Sequence, residues 1–374
     1  MHLEFEVREL HFWKQSAVKN SLIDILSFLS DDDWSVEFVR AKQAVGDLGH
    51  QNFLPLPRPF SPRYIALYSG GLDSAAGLAN NLLDKENGII LVTVGHQVGL
   101  HPRIAKQLRQ LQGLAKASAG VDFRWLHSTL TTSLIGGKSK RLRQQERTQR
   151  TRAFLFCAAA VVAAKEYGIS KVQMFENGVG AINLPLMTGM LGSGMATRSA
   201  HPTLLRLMSD FATWVTETAI EFQLPFDSKT KGEMLQRLKP VPGMETWLQE
   251  SRSCIHTSLR EVGKTHCGRC AACLERRQAF TSAGINENLD VYQTDALTEK
   301  LPDGGEADYL RLYQLDAKRW TEGVPEVNQR LADHLRLTDI PPELDAHIGA
   351  LQSRHAHEVL QTFGSPFLNQ LAVK

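Results

Sequence analysis

The chain has 374 residues, 43% hydrophobic and 22% charged, and 42 Lys and Arg nearly balance 40 Asp and Glu, for a net charge of +2. That length supports roughly two or three domains whose cores need no disulfides, and the charge balance gives no reason to expect a nucleic-acid or membrane-surface binder. Five cysteines, four of them clustered, argue against a secreted disulfide framework, no apolar run nears the roughly 18 residues of a membrane span, and the N-terminus lacks a signal-peptide core, so a cytoplasmic protein is expected.

In chain order, Leu3–Val7 and Ser35–Val39 alternate apolar and polar residues, the period of half-buried strands, with a short helix over Leu22–Leu29 between them. The segment Leu54–Pro59, followed by Pro62, suits neither a helix nor a central strand and reads as a linker. From Tyr64, strand candidates Tyr64–Tyr68, Ile89–Val94, Val121–Leu126 and Lys171–Phe175 alternate with helical stretches at Ser74–Leu83, Pro102–Ala119 and Thr151–Tyr167. The alternation predicts an α/β fold with a doubly wound parallel sheet. Gly88, Gly120 and Gly168 each follow a helical stretch, where a left-handed residue is expected. Beyond Gly284 the chain reads as helical, with Trp320, Leu331, Leu335 and Leu337 as core positions, and Pro341-Pro342 precedes a final helix near Glu343–Phe363.

The segment Ser69-Gly70-Gly71-Leu72-Asp73-Ser74 links the first of these strands to its helix. Two glycines allow a tight turn that brings backbone N–H groups close to an anion, and the helix that follows aims its positive end at the same place. Ser69 and Ser74 offer hydroxyls, and Asp73 can hold Mg²⁺ against phosphate oxygens. This is no Walker A loop; the decoy at Gly137-Lys138-Ser139 has Thr132 where that motif needs glycine.

Cys254, Cys267, Cys270 and Cys273 have the spacing C-x₁₂-C-x₂-C-x₂-C. Four soft thiolates at such spacing close a tetrahedral Zn²⁺ site with no open position, hence a structural one. Gly268 permits the sharp turn between the second and third sulfurs, His256 and His266 are lower-ranked alternative ligands, and Cys157 lies in an apolar helix as a core residue.

The turn SGGLDS resembles the PP-loop of N-type ATP pyrophosphatases. Together with Cys254-Ile255-His256 and the run His266-Cys267-Gly268-Arg269-Cys270-Ala271-Ala272-Cys273-Leu274-Glu275-Arg276, continuing to Phe280, it makes the chain similar to QueC, the 7-cyano-7-deazaguanine synthase family, over about residues 63–282. The resemblance implies a PP-loop, HUP-like Rossmannoid core over 61–250 and a four-cysteine zinc-binding segment over 251–284. An α+β extension over 1–60 and a helical C-terminal region over 285–374 flank them. It implies ATP, Mg²⁺ and Zn²⁺, with Ser69 to Ser74 holding the nucleotide. Arg152 follows from it as a phosphate or carboxylate partner, ahead of Arg147 and Arg150. These close the run Lys138–Arg152, whose seven basic residues read equally as a solvated face. Lys231, in Lys229-Thr230-Lys231-Gly232-Glu233-Met234, resembles a family lysine that stabilises phosphate charge, or is a helix-start lysine in water. Glu176 to Gly180 could line the acceptor pocket or simply turn the chain; His96 and Gln97 could sit near adenine, and His201-Pro202 reads as a loop pair.

QueC enzymes adenylate 7-carboxy-7-deazaguanine, aminate it and dehydrate the amide to a nitrile. Here the corresponding substrate segment, Ala181 to Leu186, lacks the family's acidic residue and arginine. The extended ends make the chain resemble QatC, the QueC-like component of Qat anti-phage defence systems. That resemblance implies an ATP-dependent C–N ligase joining a deazaguanine-type carboxylate to the N-terminal amine of a partner protein of the same operon. Nitrile synthesis for queuosine, and a non-catalytic ATP-binding sensor or scaffold, are the other two readings.

Overall fold

The computed structural model describes residues 1–41, 60–84, 88–95, 100–118, 123–129, 150–191, 197–256, 263–299, 301 and 304–364. The expected linker at Leu54–Pro59, Gly120, His96, Gln97, Arg147 and the rest of the basic run before Arg150 lie outside them. So do the first two residues of the strand candidate Val121–Leu126.

Strands β1 (His2–Val7) and β2 (Ser35–Arg40) pair in parallel, with Leu3 opposite Val36 and Phe5 opposite Phe38. Between them run α1 (Leu10–Trp13) and α2 (Ser16–Ser30). The second helix is longer than expected, because Val18, Leu22, Ile25 and Leu29 already form one buried stripe from its first turn. Arg198 holds its end with bonds to the Phe28 carbonyl (2.8 Å) and to both Asp31 carboxylate oxygens (2.5 and 3.1 Å).

The main sheet is parallel throughout, in the order β5-β4-β3-β6-β7, with β3 (Tyr64–Leu67), β4 (Ile89–Gly95), β5 (Phe123–Thr129), β6 (Lys171–Met174) and β7 (Glu221–Gln223). Every residue of β4 is buried, as a sheet covered on both faces requires. Alternate residues serve opposite faces. Tyr64, Ala66, Ile89 and Leu91 join a core with α3 (Leu72–Leu83) and α4 (Leu100–Ser118), whereas Ile65, Ile90 and Val92 pack on α5 (Arg152–Tyr167) and the N-terminal helix α2. The chain winds outward from β3 to β5 and then returns to β6 on the other side of β3. At that reversal, beyond the carboxyl ends of β3 and β6, an open parallel sheet leaves a crevice for ligands.

After β6 come α6 (Gly178–Ile182), α7 (Pro202–Thr216), α8 (Lys231–Gln236), α9 (Met244–Gln249) and α10 (Ala271–Ala283). His201-Pro202 is not a loop pair. Pro202 is the first residue of α7, and the buried His201 caps it by accepting a bond from the Thr203 N–H at 3.2 Å.

The C-terminal helices α11 (Gly305–Thr321), α12 (Pro325–Leu337) and α13 (Asp345–Phe363) form a further core with Ile182, Leu184 and Leu186. Leu337 is 56% exposed rather than buried, because the apolar stripe of α12 runs through Val327, Leu331 and Leu335 and the last residue falls off it.

A buried ionic network ties α10 to the chain after it. Glu287 accepts from Arg276 (2.5 Å) and Arg277 (3.2 Å), and Arg277 also reaches Asp295 at 3.0 Å. Glu287→Gln leaves two buried guanidinium groups short of charge, and the expected loss is about 3–5 kcal/mol. Denaturant unfolding checks it; an unshifted midpoint would mean that water reaches these groups.

Candidate active site at the sheet reversal

The glycine-rich turn occupies the carboxyl end of β3. Gly70 has φ of +74°, and a Cβ there would lie 2.8 Å from Ile104 Cγ1, so only glycine fits both backbone and space. Gly71 caps α3 in extended conformation, and no side chain among the described residues caps that helix, which leaves the N–H groups of its first turn pointing outward for an anion. The Ser74 hydroxyl donates to the Gly71 carbonyl (3.0 Å) and sits 3.2 Å from Ser69 Oγ, while the Arg252 N–H donates to the Gly70 carbonyl at 3.1 Å. Leu72 is buried and anchors the turn to the core.

Asp73, in the first turn of α3, faces the end of β6. Asn177 Nδ2 donates to its Oδ1 at 2.8 Å, and Lys231 Nζ lies 3.1 Å from its Oδ2. Close backbone packing forces this meeting. The Gly178 N–H donates to the Lys229 carbonyl (2.9 Å), and a Cβ on Gly178 would fall 1.7 Å from the Asp227 carbonyl oxygen. Lys231 also pairs with Glu275 at 3.1 Å and is only 12% exposed. Burial alone would lower its pKa, but the charges of Asp73, Glu275 and Glu176 outweigh that and hold the ammonium above the ordinary lysine range. Glu176 is pushed well above the usual carboxyl range, first by burial and then by the charge of Asp73.

Arg152 opens α5 at the same carboxyl edge of the sheet, its guanidinium 5.6 Å from the centre of the Phe156 ring. No ion pair or hydrogen bond among the described residues joins it to Asp73 or Lys231, so Asp73 and Lys231 are brought together and Arg152 stands apart. Arg150 instead binds the Ser30 carbonyl and Asp32 of the N-terminal segment.

The four cysteines converge. Their sulfurs lie within 4.8 Å of one another, all four residues buried, and Cys267 and Cys273 are 3.9 Å apart. A tetrahedral zinc with bonds of about 2.3 Å requires sulfurs about 3.8 Å apart, so the set fits that ion. The Cys267 N–H donates to Cys254 Sγ and the Cys270 N–H to Cys267 Sγ, both at 3.4 Å, as thiolates accept. Gly268 has φ of +80°, and a Cβ would overlap the Thr294 carbonyl at 1.6 Å, so the turn demands glycine. His266 is not a member: its Nε2 accepts from the Ser253 N–H at 3.3 Å, and burial, with Arg276 and Arg252 near, holds its pKa at about 3. His256 is also outside the cluster. Cys157 is buried in α5, as expected of a core residue, and burial pushes its thiol up to about 12.

The profile of the family described as Queuosine biosynthesis protein QueC matches residues 63–284, more than half the chain. The chain belongs to the QueC family. It is also similar to 7-cyano-7-deazaguanine synthases: 42% identical over 55 residues to that of Rhizobium etli, covering 15% of this chain and 19% of that protein. The enzyme of Methanocaldococcus jannaschii is 32% identical over 75 residues, covering 19% and 31% respectively. These matches span less than a third of each relative's length.

On this QueC scaffold the structure adds groups that the sequence reading did not assign. Glu275 stands two residues after the last zinc-type cysteine, so the cysteine centre and α10 deliver it to Lys231. Asn177 caps α6 by accepting from the Gly180 N–H at 3.0 Å while it holds Asp73, a contact that its place in the Glu176 to Gly180 stretch did not specify. Arg252, in the cysteine segment, donates its N–H to the Gly70 carbonyl, and Arg103 on α4 precedes Ile104, which packs against Gly70. Burial first and then the charge of Arg252 lower the pKa of Arg103, so the two guanidinium groups are near enough to repel each other. That favours a polyanion. Removing both side chains (Arg103→Ala with Arg252→Ala) is expected to raise the KM for ATP about tenfold to a hundredfold with a smaller effect on kcat. Steady-state kinetics checks this, and an unchanged KM would place the phosphates elsewhere.

Proposed function

We propose that the protein is an AMP- and pyrophosphate-forming C–N ligase that adenylates a deazaguanine-type carboxylate and passes it to an amine. The observation that carries this reading is the meeting of Asp73 and Lys231 beside an uncapped, glycine-turned helix start at the sheet reversal. The loop N–H groups would hold the β and γ phosphates, with Ser69 and Ser74 as hydroxyl donors. A carboxylate oxygen attacks the α-phosphorus and pyrophosphate leaves on the loop. The amine then attacks the acyl carbon, AMP departs, and the amine proton is lost as the amide forms. Lys231, held protonated, stabilises the charge that develops on the phosphates. Asp73, with Glu275 and Glu176 near, offers the hard oxygen ligands that suit Mg²⁺, which supplies charge neutralisation on the phosphates. Arg152, at the same edge, would orient the carboxylate. Zn²⁺ on Cys254, Cys267, Cys270 and Cys273 would be structural.

In this reading the amine belongs to the N-terminus of a partner protein in an anti-phage defence system, as in QatC. Ala181 to Leu186 supports it, because Ile182, Leu184 and Leu186 are taken into the C-terminal core rather than shaping a small-molecule pocket. A protein amine gives a secondary amide, which cannot lose water to a nitrile. Nitrile synthesis from ammonia is the second reading, favoured by the family match. Purified protein with Mg²⁺, α-labelled ATP and 7-carboxy-7-deazaguanine separates the readings. Labelled AMP that depends on the carboxylate supports adenylation; a nitrile product with ammonia selects the second reading. ATP left intact with every candidate amine or partner would sink both.

A further inference from the structure

Lys231 is the first residue of a helix only six residues long, so what fixes the start of α8 fixes the lysine. Thr230 and Glu233 form a capping box: the Glu233 N–H donates to the Thr230 hydroxyl and the Thr230 N–H to the Glu233 carboxylate, each at 3.0 Å. Both side chains of that box are gripped from α13. The Thr230 hydroxyl donates to Glu358 Oε1 at 2.5 Å, and Arg354 Nε donates to Glu233 Oε1 at 2.8 Å. Arg354 Nη2 also donates to the Ser228 carbonyl at 2.8 Å. The other oxygen of Glu358 accepts from Gln278 at 2.6 Å, on the same helix that carries Glu275. The fit is tight. A Cβ on Gly232 would lie 2.3 Å from Ser282 Oγ and 2.8 Å from Glu358 Oε1.

We propose that Glu358 and Arg354 are positioning residues for Lys231: α13, outside the segment matched to the QueC family, sets the ammonium between Asp73 and Glu275. The proposal rests on the role given to Lys231 above. It gains support from His355 on the same helix, whose pKa is held at about 4 by burial and then by the charge of Lys231, which puts this face of α13 within electrostatic reach of the lysine.

The test reads Lys231 directly, without substrate. The full-length protein is treated with an amine-selective acylating reagent, and labelling of Lys231 is measured by peptide mass spectrometry against exposed Lys171. Glu358→Ala is expected to raise Lys231 labelling about fivefold to tenfold, the scale of a lost helix cap, and to lower kcat for AMP formation with KM for ATP little changed. Glu358→Gln is expected to stay within about twofold of the native rate. Its carbonyl still accepts from Thr230, and a flipped Gln278 can offer it Oε1, a buried atom that has no partner among the described residues. Arg354→Ala, at a side chain 44% exposed, should raise labelling by a smaller factor and keep the fold. Native labelling in a folded Glu358→Ala overturns the proposal. If that variant does not fold, native labelling in Arg354→Ala overturns it instead. Raised labelling in a protein whose native form makes no AMP would support the positioning and sink the reaction.

Discussion

Lys231→Ala is expected to slow AMP formation by about 10²- to 10³-fold, the scale of losing one preorganised donor to developing charge. The lysine is 12% exposed and lies 3.1 Å from both Asp73 and Glu275, so its charge is held at one fixed place. Its removal also leaves Asp73, Glu275 and Glu176 facing one another without a counter-charge. The pKa of Glu176, already raised by burial and by the charge of Asp73, should rise further. A carboxyl whose pKa is raised by folding adds stability below its unfolded pKa and loses it as pH rises through the folded value. The variant should therefore melt closer to the native temperature at pH 5 than at pH 8. Single-turnover assays with α-labelled ATP and melting at the two pH values check both statements. A variant with native turnover would remove Lys231 from the reaction.

Cys267→Ser is expected to have the larger effect on the fold. Four sulfurs within 4.8 Å of one another are repulsive as thiolates without a cation, and zinc binding at comparable thiolate sites contributes on the order of 10 kcal/mol. Cys270 caps α10 and Cys273 lies in its first turn, so losing the ion frees the helix that carries Glu275, Arg276 and Arg277. Metal analysis should find one zinc per native chain and none in the variant. Cooperative melting should disappear, and AMP formation with it. A metal-free variant that melts as the native protein does would make the cluster dispensable to folding.

The two strongest features of the site were legible because each needs a residue pattern that little else explains. Gly70 and Gly71 between an apolar strand and a helix announced the turn, and the spacing from Cys254 to Cys273 announced the four-cysteine cluster. The parallel sheet followed from the rhythm of apolar runs such as Ile89 to Val94, whose own residues are all buried. The meeting of Lys231 with Glu275 and Asp73 was not readable, since it depends on Gly178 packing against the Asp227 carbonyl and on where α10 lands. Strand β7 has three residues, too few to show a period, and α7 was hidden by a His-Pro start that resembles a loop. Leu337 was misplaced because an apolar residue at a helix end carries no phase of its own.

The capping contacts from α13 also bear on when the site comes into being. During synthesis the glycine turn, the cysteines and Lys231 all leave the ribosome before Arg354 and Glu358 do. The nascent protein can fold its sheet and gather its four cysteines while the lysine still lacks two of its supports. In the proposed reaction, competence for ATP chemistry then arrives late in translation, and a chain stalled before α13 would hold the glycine turn without a properly aimed charge.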